Sequence, residues 1–143
     1  MSSPPRAASG LARVLLVDDD PATRLALKRV LRAGGYTVDT AASASEAVEK
    51  LEESEYELVL TDLRLESPEA GYRVLAHARI VDYMPATALI TTYRDERAPV
   101  GPESADHPLV IASEDLPELL SKVADLIAER VTRRVARALR HAG

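Results

Sequence analysis

The sequence predicts an α/β protein, a doubly wound parallel sheet with helices on both faces. Three observations predict it. Short runs rich in Val, Leu and Ile recur along the chain, and the stretches between them carry apolar residues at helical spacing. Several of the runs end on a polar residue: Asp18, Asp62 or Thr91. Strands alternating with helices at this spacing imply right-handed crossovers and a parallel sheet. The length of 143 residues suits one domain with a sizeable core and is too short for two ordinary ones.

The elements follow in order. Residues 13–17, Arg-Val-Leu-Leu-Val, read as a strand buried on both faces. Asp20 and Pro21 then supply an N-cap and a first helical residue. Leu27, Val30 and Leu31 repeat at helical spacing until Gly34-Gly35 stop the helix. Residues 36–40 are a second strand candidate. Ser43 and Glu46 fit a capping box ahead of Val48 and Leu51. Residues 56–61 form the third apolar run and lead into Asp62. Ser67-Pro68 are placed to open a helix carrying Val74, Leu75 and Ala78. Residues 86–91 and 109–112 are the fourth and fifth strands. Asp115 and Glu118 are placed to cap a long last helix with Leu119, Leu120, Val123, Leu126 and Ile127. Between the last two strands, Pro99, Gly101, Pro102 and Pro108 oppose a regular helix, so that crossover helix is expected to be short, displaced or absent.

Composition narrows the chemistry. Apolar residues make up 46% of the chain, which marks it as globular, and with no Phe or Trp the core falls to Leu, Val, Ile and Ala. There is no cysteine, which excludes disulfides and thiolate metal sites. No apolar run approaches the roughly 20 residues of a membrane span, and residues 1–10 have no signal-like apolar stretch and read as a disordered tail. A cytoplasmic protein is expected. The net charge of -5 is unevenly spread: from Arg130 onward there are five arginines and no acid, which leaves -10 on the preceding residues.

In open parallel sheets, ligands sit beyond the carboxyl ends of the strands. Asp18, Asp19, Asp62 and Thr91 all fall there. Convergent carboxylates repel unless a cation offsets them, and an oxygen-only ligand set favours a hard cation such as Mg2+. Asp62 would then be a candidate nucleophile forming an acyl phosphate. The dull reading of Asp18 and Asp19 is an acidic turn before a helix. Asp20 is assigned to capping and not to the cation.

With these residues in register the chain resembles a family, the receiver domains of bacterial two-component response regulators. The matching segments are VLLVDDD, YELVLTDLRL and ALITTY, and the resemblance spans roughly residues 11–128. It implies a flavodoxin-like (CheY-like) fold, a five-stranded parallel sheet of order 2-1-3-4-5. It implies that Asp62 is the phospho-acceptor, that Asp18 and Asp19 with Asp62 and the backbone carbonyl of Arg64 hold Mg2+, and that the Thr91 hydroxyl contacts a phosphoryl oxygen. The implied function is a stand-alone receiver in phosphorelay signal transduction. Its partners would be a sensor histidine kinase or phosphotransfer protein and a downstream protein that the sequence does not name. Such a chain is a phospho-acceptor with at most self-catalysed transfer and dephosphorylation, not an enzyme in the ordinary sense.

The chain departs from the family pattern after the fifth strand, where a Lys-Pro pair is usual and Ala112 and Ser113 stand instead. Leu109 lies nearest the family's aromatic switch position, and the loop after Asp62 has its proline and glycine late. These departures support an alternative: a degenerate pseudo-receiver acting as a phosphorylation-independent protein-binding or dimerisation module. A phosphohydrolase is disfavoured because Arg64 stands where a second acid is needed. Arg64 and Arg94 flank the site and read as solvated. His77, His107 and His141 are scattered without metal spacing.

The last helix is expected to cover residues 116–141, about 39 Å, which is longer than the sheet requires. Residues 129–143 therefore read as a basic extension of the 11–128 domain. Their apolar stripe of Val131, Val135 and Leu139 among arginines suggests a homodimer or a docking helix. With no aromatic residue among the arginines, nucleic acid and membrane partners are disfavoured.

Overall fold

A computed structural model describes residues 12–62, 65, 67, 69–91, 109–112 and 116–142. The order is β1 (Arg13–Val17), α1 (Pro21–Ala33), β2 (Thr37–Ala41), α2 (Ala44–Glu53), β3 (Leu58–Asp62), α3 (Ala70–Ile80), β4 (Ala86–Thr91), β5 (Leu109–Ala112) and α4 (Leu116–Ala142). All strand pairings are parallel, and the sheet runs β2-β1-β3-β4-β5. This is the flavodoxin-like topology expected from the sequence. The crossover expected to lack a regular helix, within residues 92–108, lies outside the described residues.

Strand alternation divides the core into two layers, because successive side chains leave a strand on opposite faces. Val14 and Leu16 of β1 point to one side and pack with Leu27 and Leu31 of α1 and with Leu119 and Val123 of α4. Leu15 and Val17 point to the other and pack with Ala47 and Leu51 of α2 and with Val74 and Ala78 of α3. These four β1 side chains are fully buried, so both faces of this interior strand are covered by helices. Tyr56, just before β3, is also buried and donates its hydroxyl to the Asp39 carboxylate at 2.7 Å.

The helix boundaries have local causes. The Asp20 side chain accepts the Thr23 N–H at 3.0 Å with Pro21 behind it, as the sequence suggests. At the other end of α1, the Gly35 N–H bonds the Arg32 carbonyl and the Tyr36 N–H bonds the Leu31 carbonyl. Gly35 sits at φ 101°, a left-handed conformation that a side chain would strain. Ser43 caps α2 by accepting the Glu46 N–H, and Glu46 reaches back to the Ala42 N–H at 3.3 Å.

Three boundaries differ from expectation. β2 starts at Thr37 and β3 at Leu58, later than the apolar runs suggest. The cause is that the Tyr36 N–H completes the turn after α1, and β3 enters register with β1 only at Leu58, opposite Val14. α3 starts at Ala70, not at Ser67-Pro68, and Glu69 gives it no side-chain cap. The Ala70 N–H instead bonds the Ser67 carbonyl in a turn.

Candidate functional site

The register of the sheet creates the site. Val17 of β1 is level with Thr61 of β3, so the residues that follow them, Asp18 and Asp62, stand side by side at the carboxyl end of the sheet. Asp19 comes next in the chain. Carboxylate oxygens of Asp18, Asp19 and Asp62 all lie within 4.8 Å of one another. Asp18 is buried, Asp62 half-buried and Asp19 exposed, so the cluster opens to solvent on one side.

Backbone contacts hold the acidic loop in shape. The Asp18 N–H bonds the Ala41 carbonyl at 3.0 Å, which extends the β1–β2 ladder by one residue. The Asp18 carboxylate accepts the Asp20 N–H at 2.9 Å, and the Asp18 carbonyl accepts an Arg24 guanidinium N–H at 2.8 Å. No motif in the sequence points to Arg24. It lies one helical turn beyond the Asp20 cap, and its reach back to carbonyl 18 follows only once the direction of α1 is fixed.

The electrostatics match a cation site. Burial pushes the Asp18 carboxyl up to about 6, and the nearby Asp62, Asp19 and Asp20 carboxylates add to the rise against the opposing Asp20 N–H bond. Asp20 behaves differently: hydrogen bonds from the Thr23 hydroxyl and N–H hold its carboxyl below the ordinary range. The three adjacent aspartates therefore divide into one cap and two members of the cluster. The donor set of Asp18, Asp19 and Asp62 is all oxygen and gathers three carboxylates in one place, which fits a hard divalent cation.

The remaining sequence candidates are placed in part. Asp62 is level with Ile90 of β4, so Thr91 stands one residue further along at the same end of the sheet. Thr91 is itself level with Ala112 of β5. Arg64 and Arg94 lie outside the described residues, as do Ser113 and His107. His77, given no role from sequence, pairs with Glu52 at 2.6 Å on the helical face, away from the carboxylates. Among the described residues no helix is long and apolar enough to cross a membrane.

Comparison with known proteins agrees with this geometry. The profile of the response regulator receiver domain matches residues 14–101. The chain belongs to the response regulator receiver family. Among curated relatives of this receiver, the transcriptional regulatory protein AfsQ1 of Streptomyces coelicolor is 33% identical over 98 residues, covering 68% of this chain and 43% of AfsQ1. The sensor kinase CckA of Brucella abortus is 47% identical over 57 residues, covering 38% of this chain and 6% of CckA. The receiver thus spans less than half the length of either relative. Among solved structures, the response regulator TrrA of Thermotoga maritima, determined in complex with Mg2+-BeF, superposes with a TM-score of 0.66 at 33% identity. That superposition covers 81% of this chain and 99% of TrrA. A CheY-like receiver domain protein from Methanospirillum hungatei gives a TM-score of 0.70 at 25% identity, covering 87% and 99% of the two chains.

Proposed function

We propose that this receiver accepts a phosphoryl group on Asp62 in a phosphorelay, from a sensor histidine kinase or phosphotransfer protein, with Mg2+ held by Asp18, Asp19 and Asp62. The single observation that carries the reading is the cluster of three carboxylates within 4.8 Å at the carboxyl end of the sheet. The ion would supply charge neutralisation at the phosphoryl oxygens. A carboxylate oxygen of Asp62 forms the new bond to phosphorus as the bond from phosphorus to the donor imidazole nitrogen breaks, and the imidazole leaves with that electron pair. Asp18 and Asp19 would orient the site, and Asp18 is held by the Asp20 and Arg24 contacts. The Arg64 carbonyl is proposed as a further ligand and the Thr91 hydroxyl as the contact to a phosphoryl oxygen. Ala112 brings no ammonium to the strand end beside Thr91. Such a charged contact is worth roughly 1.5–3 kcal/mol, so phosphorylation is expected to be slower or the acyl phosphate shorter-lived than with a lysine there.

We assign the protein to the cytoplasm, where such kinases present their phosphohistidine, and regard it as a phospho-acceptor with at most self-catalysed turnover. Residues 11–128 form the proposed receiver unit. Its output would pass through protein contacts. Val131, Val135 and Leu139 are exposed on one edge of α4, which supports a homodimer through that helix. Light scattering is expected to give twice the chain mass for the full protein and the single mass after truncation at Ile127. Equal association states would remove the dimer.

The test of the main reading is intact mass spectrometry after incubation with Mg2+ and acetyl phosphate. The wild-type chain is expected to gain the mass of one phosphoryl group and the Asp62→Asn variant none. No gain in the wild type, or a gain that survives Asp62→Asn, would leave the degenerate binding module as the function.

A further inference from the structure

α4 continues past the edge of the domain, and the character of its inner face changes there. Leu119 and Val123 are fully buried on the sheet, and Leu126 and Ile127 pack against the same cluster. Arg130, seven residues after Val123 and three after Ile127, takes the next place on that stripe. It is 6% exposed, and its guanidinium donates to the Met84 carbonyl at 3.0 Å and the Tyr83 carbonyl at 2.6 Å. Beyond it the stripe is arginine. Arg130, Arg133, Arg134, Arg137 and Arg140, with Arg79 from the end of α3, surround a cavity of about 490 Å³. Met84, Pro85 and Ala136 complete its wall, and no acidic residue lines it.

Six guanidinium groups around one cavity repel one another. Burial pulls the Arg130 guanidinium below its ordinary value, and Arg134 and Arg133 add to the fall against the opposing Glu57 and Glu55 carboxylates, which lie outside the cavity wall. Among the described residues, the ion pairs found are Arg13–Asp39 and His77–Glu52, and neither involves these arginines. Interaction with the helix dipole favours cations only within the last turn, yet the arginines begin three turns before the end of α4. A solvated face would not wrap a concavity or bury its first member. Two of the arginines are also positioned by the turn before β4, since Arg137 contacts the Met84 sulfur at 3.4 Å as Arg130 holds the carbonyls.

We propose that this cavity binds a small phosphate-bearing anion, an oligophosphate or a nucleotide, at the end of the sheet opposite the carboxylates. The planar fork of a guanidinium matches phosphate oxygens in pairs, and several forks converge here. The volume lies within the roughly 300–1,000 Å³ of small-ligand pockets, and the Met84–Pro85–Ala136 wall offers apolar surface for a ring. A concave cavity of this size favours a compact ligand over an extended polymer.

The experiment is calorimetric titration of the full chain in EDTA, first with inorganic pyrophosphate and then with ADP. EDTA removes the cation, so the carboxylate cluster repels both probes. Saturable binding at one site per chain is expected, weakened at least about tenfold in an Arg134→Gln/Arg137→Gln variant. Both residues are exposed, so the variant is expected to melt with the wild type. Tighter binding of ADP than of pyrophosphate identifies the nucleotide as the ligand class, and equal binding identifies the oligophosphate. Three results would overturn the proposal: saturable binding of neither probe, binding unchanged in the variant, or binding only to duplex DNA or to vesicles of anionic lipid.

Discussion

Asp18→Asn is expected to stabilise the cation-free protein at pH 7.5 by up to about 3 kcal/mol, the worth of raising one carboxyl from 3.8 to about 6. Asparagine keeps the shape and the oxygen that accepts the Asp20 N–H, and it discards the charge. The sign follows from linkage. The folded carboxyl titrates near 6 and the unfolded one near 3.8, so the folded state bears the full cost of ionisation above pH 6. That cost shrinks as the pH falls from 6 to 3.8 and is absent below. The advantage of the variant should therefore be largest at pH 7.5 and clearly smaller at pH 5, as measured by urea denaturation in EDTA. Added Mg2+ should raise the wild-type midpoint and move that of the variant little. A variant less stable than wild type at pH 7.5 would mean that the ionised carboxylate is held by favourable contacts, contrary to its burial among like charges.

Leu16→Ala carries the largest expected loss. Leu16 is fully buried in β1, which lies between β2 and β3 with helices on both faces. The cavity would open among Leu27, Leu31 and Leu60, and a strand held on both edges cannot collapse into it. A cost of about 3–4 kcal/mol is expected, lowering the melting midpoint by roughly 10 °C or more. Leu25→Ala on the exposed face of α1, where the side chain is 48% exposed, should change stability by about 0.5 kcal/mol or less. Urea denaturation of the two variants checks the contrast, and equal losses would mean that Leu16 is not packed as described. Leu16 also lies two residues before Asp18, so loosening β1 should blunt the Mg2+ response too.

Much of this was legible in the sequence because the decisive signals are local. A short apolar run that ends in an acid is a buried strand leading to a polar rim, and the two such rims, at Asp18 and Asp62, converge once the sheet is parallel. Asp20 could be separated from its neighbours because a cap followed by proline is a pattern of adjacent residues. The start of α3 is not legible because Ser67-Pro68 has the composition of a helix entry, whereas the Ala70 N–H bonds the Ser67 carbonyl and the helix begins only there. In the sequence Arg130 is only one member of a basic tail. Its partners are the carbonyls of Tyr83 and Met84, forty-odd residues away, and no spacing rule connects them. The same holds for Arg79, which joins the other arginines only because α3 ends where α4 leaves the sheet.

The two charged ends of the sheet bear on how they can communicate. The negative cluster lies at the carboxyl ends of β1 and β3, and the positive cavity borders Met84 and Pro85, just ahead of β4. A strand of five or six residues spans roughly 17–20 Å. That separation is about twice the Debye length of about 8 Å at physiological ionic strength, so solvent largely hides each pole from the other. Filling one would leave the other's affinity nearly unchanged through space, and any cooperativity between them would have to travel mechanically, through the strands or along α4. In dilute buffer, where screening is weaker, the two poles would begin to feel each other directly.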